Sequence, residues 1–170
     1  AMDLAAVAHL SAIKGSLPFL HFFDGFRTSH EQQKIEIWDY NELAEMLDQE
    51  AVARFRARAL NPEHPCVKGT AQNPDIFFQN REAGSHYHAE LPQIVADYMQ
   101  QVSERTGRTY HPFDYYGDPE ATDVVVAMGS ICEVAYQAVD YLRAQGRKVG
   151  LLQVRLFRPF APQYMFNVLP

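Results

Sequence analysis

Residues 123–157 read DVVVAMGSICEVAYQAVDYLRAQGRKVGLLQVRLF, and this stretch decides the fold class. The run Asp123 to Met128 is short, apolar after its first residue and rich in β-branched valine, the pattern of a buried strand. Gly129-Ser130 then supplies a tight turn. From Ile131 an amphipathic helix follows, with an apolar stripe through Val134, Ala138, Val139 and Leu142, and Gly146 closes it. Lys148 to Phe157 returns to the strand pattern until Arg158-Pro159-Phe160 breaks it. This β-α-β unit predicts two parallel strands joined by a right-handed crossover. The expected class is therefore α/β, made of pieces of three-layer parallel-sheet domains.

Toward the N-terminus, HPFDYYGDPEAT (111–122) reads as a linker, rich in turn formers and aromatic residues. Before it a helix is expected from His86 to Arg105, with Pro92 in its first turn and Gly107 at its end. Residues 61–85 read as a long irregular segment, and such segments usually serve function or lie across another part of the protein. A helix capped by Asn41 runs through LAEMLDQEAVARFRARAL, with Glu42 and Glu45 near its start and Arg54, Arg56 and Arg58 near its end, as the helix dipole prefers. Asp48 offers a second cap, which would make two short helices, and Pro62 and Pro65 prevent continuation. The first helix carries Leu4, Val7, Ala8 and Leu10 and stops at Gly15. Pro18 to Phe23 then reads as a buried parallel strand ending at the turn Asp24-Gly25.

The chain thus divides into two parts, 1–117 and 118–170, with no internal repeat. The second part is too short for a complete doubly wound domain. A two-stranded parallel unit leaves apolar edges and faces uncovered, so residues outside this chain should complete the sheet. Alone, the piece is expected to self-associate, with exchange of the β-α-β element as one route.

With 47% hydrophobic and 21% charged residues, the 170-residue chain has enough apolar material for a core. A net charge of −6 argues against nucleic-acid binding, which needs a positive surface to displace phosphate counterions. Cys66 and Cys132 make no disulfide framework, and a reduced cytoplasmic setting is expected. Two thiols also fall short of the roughly four ligands an iron–sulfur cluster takes. No apolar run approaches the roughly 20 residues that cross a bilayer, so no membrane partner is expected. Ala1-Met2 reads as a cloning remnant before a start codon.

Several residues invite chemistry. Asp24, Arg27, Ser29, His30 and Glu31 crowd the C-terminal end of the expected first strand, where open α/β sheets bind ligands. The structural alternative, which we favour, pairs Arg27 with Asp24 or Glu31 and uses Thr28 or Ser29 as a cap. Gly129-Ser130 sits where amides cradle phosphate, but without GxGxxG or a P-loop lysine it reads better as a small-residue turn with a serine cap. His86 and His88 point to different faces if helical and lack companions for a metal, so they read as a polar helix start. Cys132 near a helix start reads as a small packing residue, and Cys66 is uninformative. Around Ile76-Phe77-Phe78, the polar Asn73, Asp75, Gln79, Asn80, Arg81 and Glu82 suggest an interdomain clamp rather than a substrate channel.

Four strings together, PFLHFFDGFRTSHE (18–31), GTAQNPDIFFQNREA (69–83), DVVVAMGS (123–130) and KVGLLQVRLFRPF (148–160), resemble the pyruvate:ferredoxin/flavodoxin oxidoreductases. The resemblance covers almost the whole chain from Leu4, and its first two strings are the most specific. The latter two also suit related 2-oxoacid oxidoreductases. It implies a large enzyme using thiamine diphosphate with magnesium and several iron–sulfur clusters. Such an enzyme decarboxylates pyruvate, passes electrons to ferredoxin or flavodoxin and transfers the acetyl group to coenzyme A, in some organisms for nitrogen fixation. Residues 1–117 then resemble the end of a pyrimidine-binding domain, and 118–170 the start of a transketolase C-terminal-like domain. The parts that contact substrate and cofactor are expected outside the chain. No residue here is therefore assigned a catalytic, cofactor-binding or metal role, and no cofactor is expected to bind this piece alone. The competing expectation is a self-contained module that binds a phosphate-bearing ligand at Gly129-Ser130 and the His21–Glu31 turn, or a plain interaction domain.

Overall fold

The computed structural model describes all residues from Ala1 to Pro170 except Lys68 and Thr70. In chain order the elements are α1 (Met2–Gly15), α2 (Tyr40–Met46), α3 (Gln49–Ala57), α4 (Pro74–Ala83), α5 (Ser85–Thr106), β1 (Phe113–Gly117), β2 (Asp123–Ala127), α6 (Ile131–Ala144), β3 (Val149–Val154) and α7 (Pro162–Phe166).

The sheet has three strands in the order β1-β3-β2. Strands β2 and β3 are parallel, with Val125 opposite Leu151 and Val126 opposite Leu152, so the β-α-β unit forms as its pattern predicts. Strand β3 is central because alternate residues serve two cores. Val149 and Leu151 face α6 with Cys132 and Val139, while Leu152 meets Phe113, Ala161 and partly buried residues of α7 and the C-terminus. Each such side chain contributes on the order of 1.5–3 kcal/mol when fully buried. The helix stripe differs from expectation. Cys132 and Val139 are buried, whereas Val134 is exposed together with Ile131 and Tyr141. The amphipathic pattern was broader than one packing seam.

Strand β1 corrects two expectations. It lies inside the segment read as a linker, and it pairs antiparallel with β3, Gly117 opposite Gly150, so the sheet is mixed rather than all parallel. Tyr115 and Tyr116 suit a strand, and their pairing with β3 outweighs the turn formers around them.

The helical part is built on α1 and the long α5, whose Val7, Leu10, Leu91, Val95, Tyr98, Met99 and Val102 share one core. Asp39 caps α2 through its carboxylate to the Asn41 amide, and Asp48 caps α3 through the Ala51 amide. The two-helix alternative is therefore the observed one, with Asp39 rather than Asn41 as the first cap. Residues 61–85 are not irregular throughout, since α4 occupies ten of them; the portion at Lys68 and Thr70 lies outside the described residues. Pro92 is not in the first turn of α5 but seven residues past its first residue, where it is buried in the core. The missing N–H there leaves the His88 carbonyl without its helical partner.

The expected strand at Pro18–Phe23 does not form. Residues 18–23 have no regular structure, and Leu20, Phe22 and Phe23 are exposed. A strand needs a ladder partner, and among the described residues none pairs with this run. Residues 16–39 instead form a strap with a single 3-10 turn at Thr28–His30.

Candidate functional site

The strap leaves α1 at Ser16, whose φ of 55° turns the backbone out of the helix. Within it, Phe26 also adopts a positive φ, 56°. The Ser29 hydroxyl donates to the Phe26 carbonyl at 2.7 Å, and His30 Nδ1 lies 2.5 Å from the same oxygen. The polar residues of RTSH therefore fold the strap on itself. Among the described ion pairs none joins Arg27 to Asp24 or Glu31, and Thr28 and Ser29 cap no helix, so the expected fastening is replaced by turns around Phe26. The placement at a strand's C-terminal end also falls away, because the strand is absent.

Asp24 goes elsewhere. Its carboxylate reaches across 106 residues to the start of α6, where Oδ2 accepts from the Ser130 amide at 2.6 Å and also from the Ser130 hydroxyl. Gly129 permits this approach. It has a φ of +77°, and a Cβ built there would stand 2.9 Å from Asp24 Oδ2. The Ser130 hydroxyl, then its amide, holds the Asp24 carboxyl below the usual carboxylate range. A negative charge at a helix N-terminus is favoured by the helix dipole. Ser130 thus donates its hydroxyl to Asp24 instead of capping α6 itself. Two turns singled out separately in the sequence meet here, and the amides available for a phosphate already face a carboxylate of the same chain.

Around this contact lie the C-terminal ends of β2 and β3. Gln153 Oε1 accepts from Tyr136 at 2.7 Å and from Arg155 Nη2 at 2.8 Å. Arg155 also pairs with Asp114 and places its guanidinium 5.5 Å over the Tyr110 ring. Cys132 is buried, and burial pushes its thiol up, so it packs as a small apolar group rather than as an activated nucleophile. Cys66 is exposed.

The remaining candidates are dispersed. His86 and His88 lie in the first turn of α5, and His86 Nδ1 is 2.9 Å from the Ala83 carbonyl. Among the described residues no group of three or more His, Cys, Asp or Glu is placed to hold a metal. Asn73 precedes Pro74 at the start of α4, whose Ile76, Phe77 and Phe78 are exposed, with Arg81 5.9 Å over the Phe77 ring.

Sequence reasoning missed one buried ionic cluster. Asp3, 8% exposed, accepts at 2.7 Å from both Arg108 Nε and the Tyr110 hydroxyl. Burial pushes its carboxyl up, but the bonds from Arg108 and Tyr110 outweigh this and hold it below the ordinary range. A depressed carboxylate stabilises the folded state above its unfolded pKa, and the benefit disappears as pH falls through the folded value. Asp3→Asn is expected to cost about 1–3 kcal/mol at pH 7, because the buried position loses the carboxylate that accepts from both Arg108 and Tyr110. In urea titrations the gap between variant and parent should narrow as pH is lowered below about 4. An unchanged gap at pH 3 would contradict the linkage.

No helix among the described residues is long and apolar enough to cross a membrane. Residues 1–100 match the family model "Pyruvate flavodoxin/ferredoxin oxidoreductase, thiamine diP-bdg". Residues 121–168 match "Pyruvate:ferredoxin oxidoreductase core domain II". The chain is 59% identical over 169 residues to a pyruvate-flavodoxin oxidoreductase of Enterobacter agglomerans. It is 57% identical over 169 residues to a pyruvate:ferredoxin oxidoreductase of Moorella thermoacetica, and 44% over 170 residues to a probable pyruvate-flavodoxin oxidoreductase of Escherichia coli. These alignments take in 99–100% of this chain, which spans only 14% of the length of each relative. The chain belongs to the pyruvate flavodoxin/ferredoxin oxidoreductase family.

Proposed function

We propose that these residues are an internal part of a thiamine diphosphate-dependent pyruvate oxidoreductase. The reaction converts pyruvate and coenzyme A to acetyl-CoA and carbon dioxide, with two electrons passing to ferredoxin or flavodoxin. One observation carries the reading: relatives bearing these names align with nearly the whole chain, which makes up 14% of their length. The division proposed is between the end of the thiamine-binding domain and the start of core domain II. The proposed boundary lies near residues 117/118, and the pairing of β1 with β3 supports counting β1 with the second part.

Within the enzyme this piece serves as framework, with no catalytic or ligand residue of its own. Thiamine diphosphate is held through a divalent metal with oxygen ligands and through donors to its diphosphate. The residues present do not fit that group. The described residues bring together no metal-ligand cluster, and the amide at the start of α6 already serves Asp24. The same contact weighs against the phosphate-binding module. Magnesium and iron–sulfur ligands belong, in this reading, to the rest of the polypeptide, which works in the cytoplasm and in some organisms feeds nitrogen fixation. The test is an assay of the long polypeptide containing these residues. Reduction of ferredoxin or flavodoxin that requires pyruvate, coenzyme A and thiamine diphosphate supports the proposal, and turnover confined to another 2-oxoacid would overturn it.

The edge strand motivates a further expectation. Val125 is 57% and Val126 63% exposed, on opposite faces of β2, which among the described residues has no neighbouring strand on its outer side. No lysine or proline guards the run Val124–Ala127. The isolated chain should therefore self-associate at tens of micromolar. Light scattering that gives a monomer mass at that concentration would contradict this, and Val125→Lys should shift the protein toward monomer.

A further inference from the structure

The two parts of the chain pack almost wholly within themselves. Helix α1 packs on α5 and α3, and α4 on α5, while β3 holds β1, β2 and α6, and α7 lies on β1. What crosses between them is sparse. Leu156, 5% exposed, enters the core shared by α1 and α5. The Tyr164 hydroxyl donates to Gln93 Oε1 at 2.7 Å. The Arg155 guanidinium lies over Tyr110, which binds Asp3. These ties sit together near α5 and the connector that follows it. Among the hydrogen bonds of the described residues, the remaining crossing is Asp24 on Ser130, carried by an exposed strap that lacks regular structure and makes its own internal turns.

The two kinds of tie differ physically. The first group is anchored by a buried leucine, so opening it would expose apolar surface. The second joins two exposed residues, and water can replace each bond it makes. A contact of that kind opens without unfolding either part.

We propose that Asp24 and Ser130 form a releasable latch, and that the packing around Leu156 is the pivot on which the two parts turn when it opens. Closed, the strap caps the start of α6 through the Asp24 carboxylate. Open, it frees residues 16–39 and the first turn of α6 together. The strap is thus a positioning device acting on the angle between the parts. This rests on the geometry alone and holds whichever reaction the long polypeptide performs.

Hydrogen exchange of the 170-residue chain, at a concentration where light scattering reports one mass throughout, tests the latch. Asp24→Asn should speed exchange at least about fivefold in peptides covering both 17–38 and 128–133, with β3 and the core face of α5 unchanged. Ser130→Ala removes only the hydroxyl bond and should give a smaller change in the same two regions. Tyr164→Phe, at the pivot, should leave the strap peptides unchanged. Unaltered exchange in Asp24→Asn would overturn the latch. Uniform acceleration across the chain would also overturn it, by showing a structural staple, and strap acceleration in Tyr164→Phe would overturn the separation of latch from pivot.

Discussion

The 170-residue chain, given pyruvate, coenzyme A, thiamine diphosphate, magnesium and oxidised ferredoxin, is expected to form no acetyl-CoA above the protein-free control. Relative to the long polypeptide the loss should be at least about a million-fold, the lower end of what enzymes achieve over the uncatalysed reaction. The reasoning is a count of chemical parts. In the proposed reaction the electrons leave through iron–sulfur clusters, each of which takes roughly four cysteine ligands. The chain has two cysteines, Cys66 exposed and Cys132 buried against β3. The cofactor's metal needs several oxygen ligands at one point, and the described residues gather no such set. The charged groups that do converge are already partnered: Asp24 with Ser130, Asp3 with Arg108, Asp114 with Arg155. Mass-spectrometric detection of acetyl-CoA that depends on both pyruvate and this chain would sink the framework reading.

How much was legible depended on how far apart the interacting residues lie. The β-α-β unit could be read because its strands, helix and closing glycine carry their signals locally. Helix α4 also had local signals, with Asn73 before Pro74, Asp75 in the first turn and Gly84 at the end. They were outweighed by the proline- and glycine-containing loop ahead of them. The run Pro18–Phe23 failed for the opposite reason. Its composition is that of a buried strand, but a strand exists only when another strand supplies its hydrogen bonds, and within this chain the aromatics stand exposed. Strand β1 was hidden in the same way, since its partner lies some forty residues further along the chain.

The site shows the same limit more sharply. Asp24 was visible as a turn residue and Gly129-Ser130 as a helix start, but nothing in a single sequence announces that a carboxylate will cap a helix from 106 positions away. Asp3 was not singled out at all, because its partners Arg108 and Tyr110 lie more than a hundred residues away and no local pattern joins them to it. The family strings pointed to the family without showing these contacts, because a resemblance transfers membership and not geometry.

The second large effect is expected at Gly117. This residue has a φ of +143° and faces Gly150 across the β1–β3 pair. A Cβ added there would stand 2.5 Å from Gly150 Cα and 2.6 Å from the Val149 carbonyl oxygen, both backbone atoms of the central strand. Neither can swing aside as a side-chain tip would. Gly150 is constrained in turn, because the Tyr115 ring crosses it on the way to the Asp118 carbonyl, where its hydroxyl donates at 2.5 Å. Gly117→Ala should therefore cost about 3 kcal/mol or more, combining an unfavourable φ with a clash in a packed sheet. Gly146→Ala separates the two contributions. Gly146 also has a positive φ, +80°, but a Cβ there meets nothing within 4 Å, so only the backbone cost of about 1 kcal/mol applies. In urea titrations the Gly117 variant should show a much lower midpoint at unchanged slope, and the Gly146 variant a small shift. Equal losses in the two variants would mean that β1 is not held against β3 as described. The connector would then not be part of the sheet, and the Asp114–Arg155 ion pair that this strand pairing sets would be lost with it.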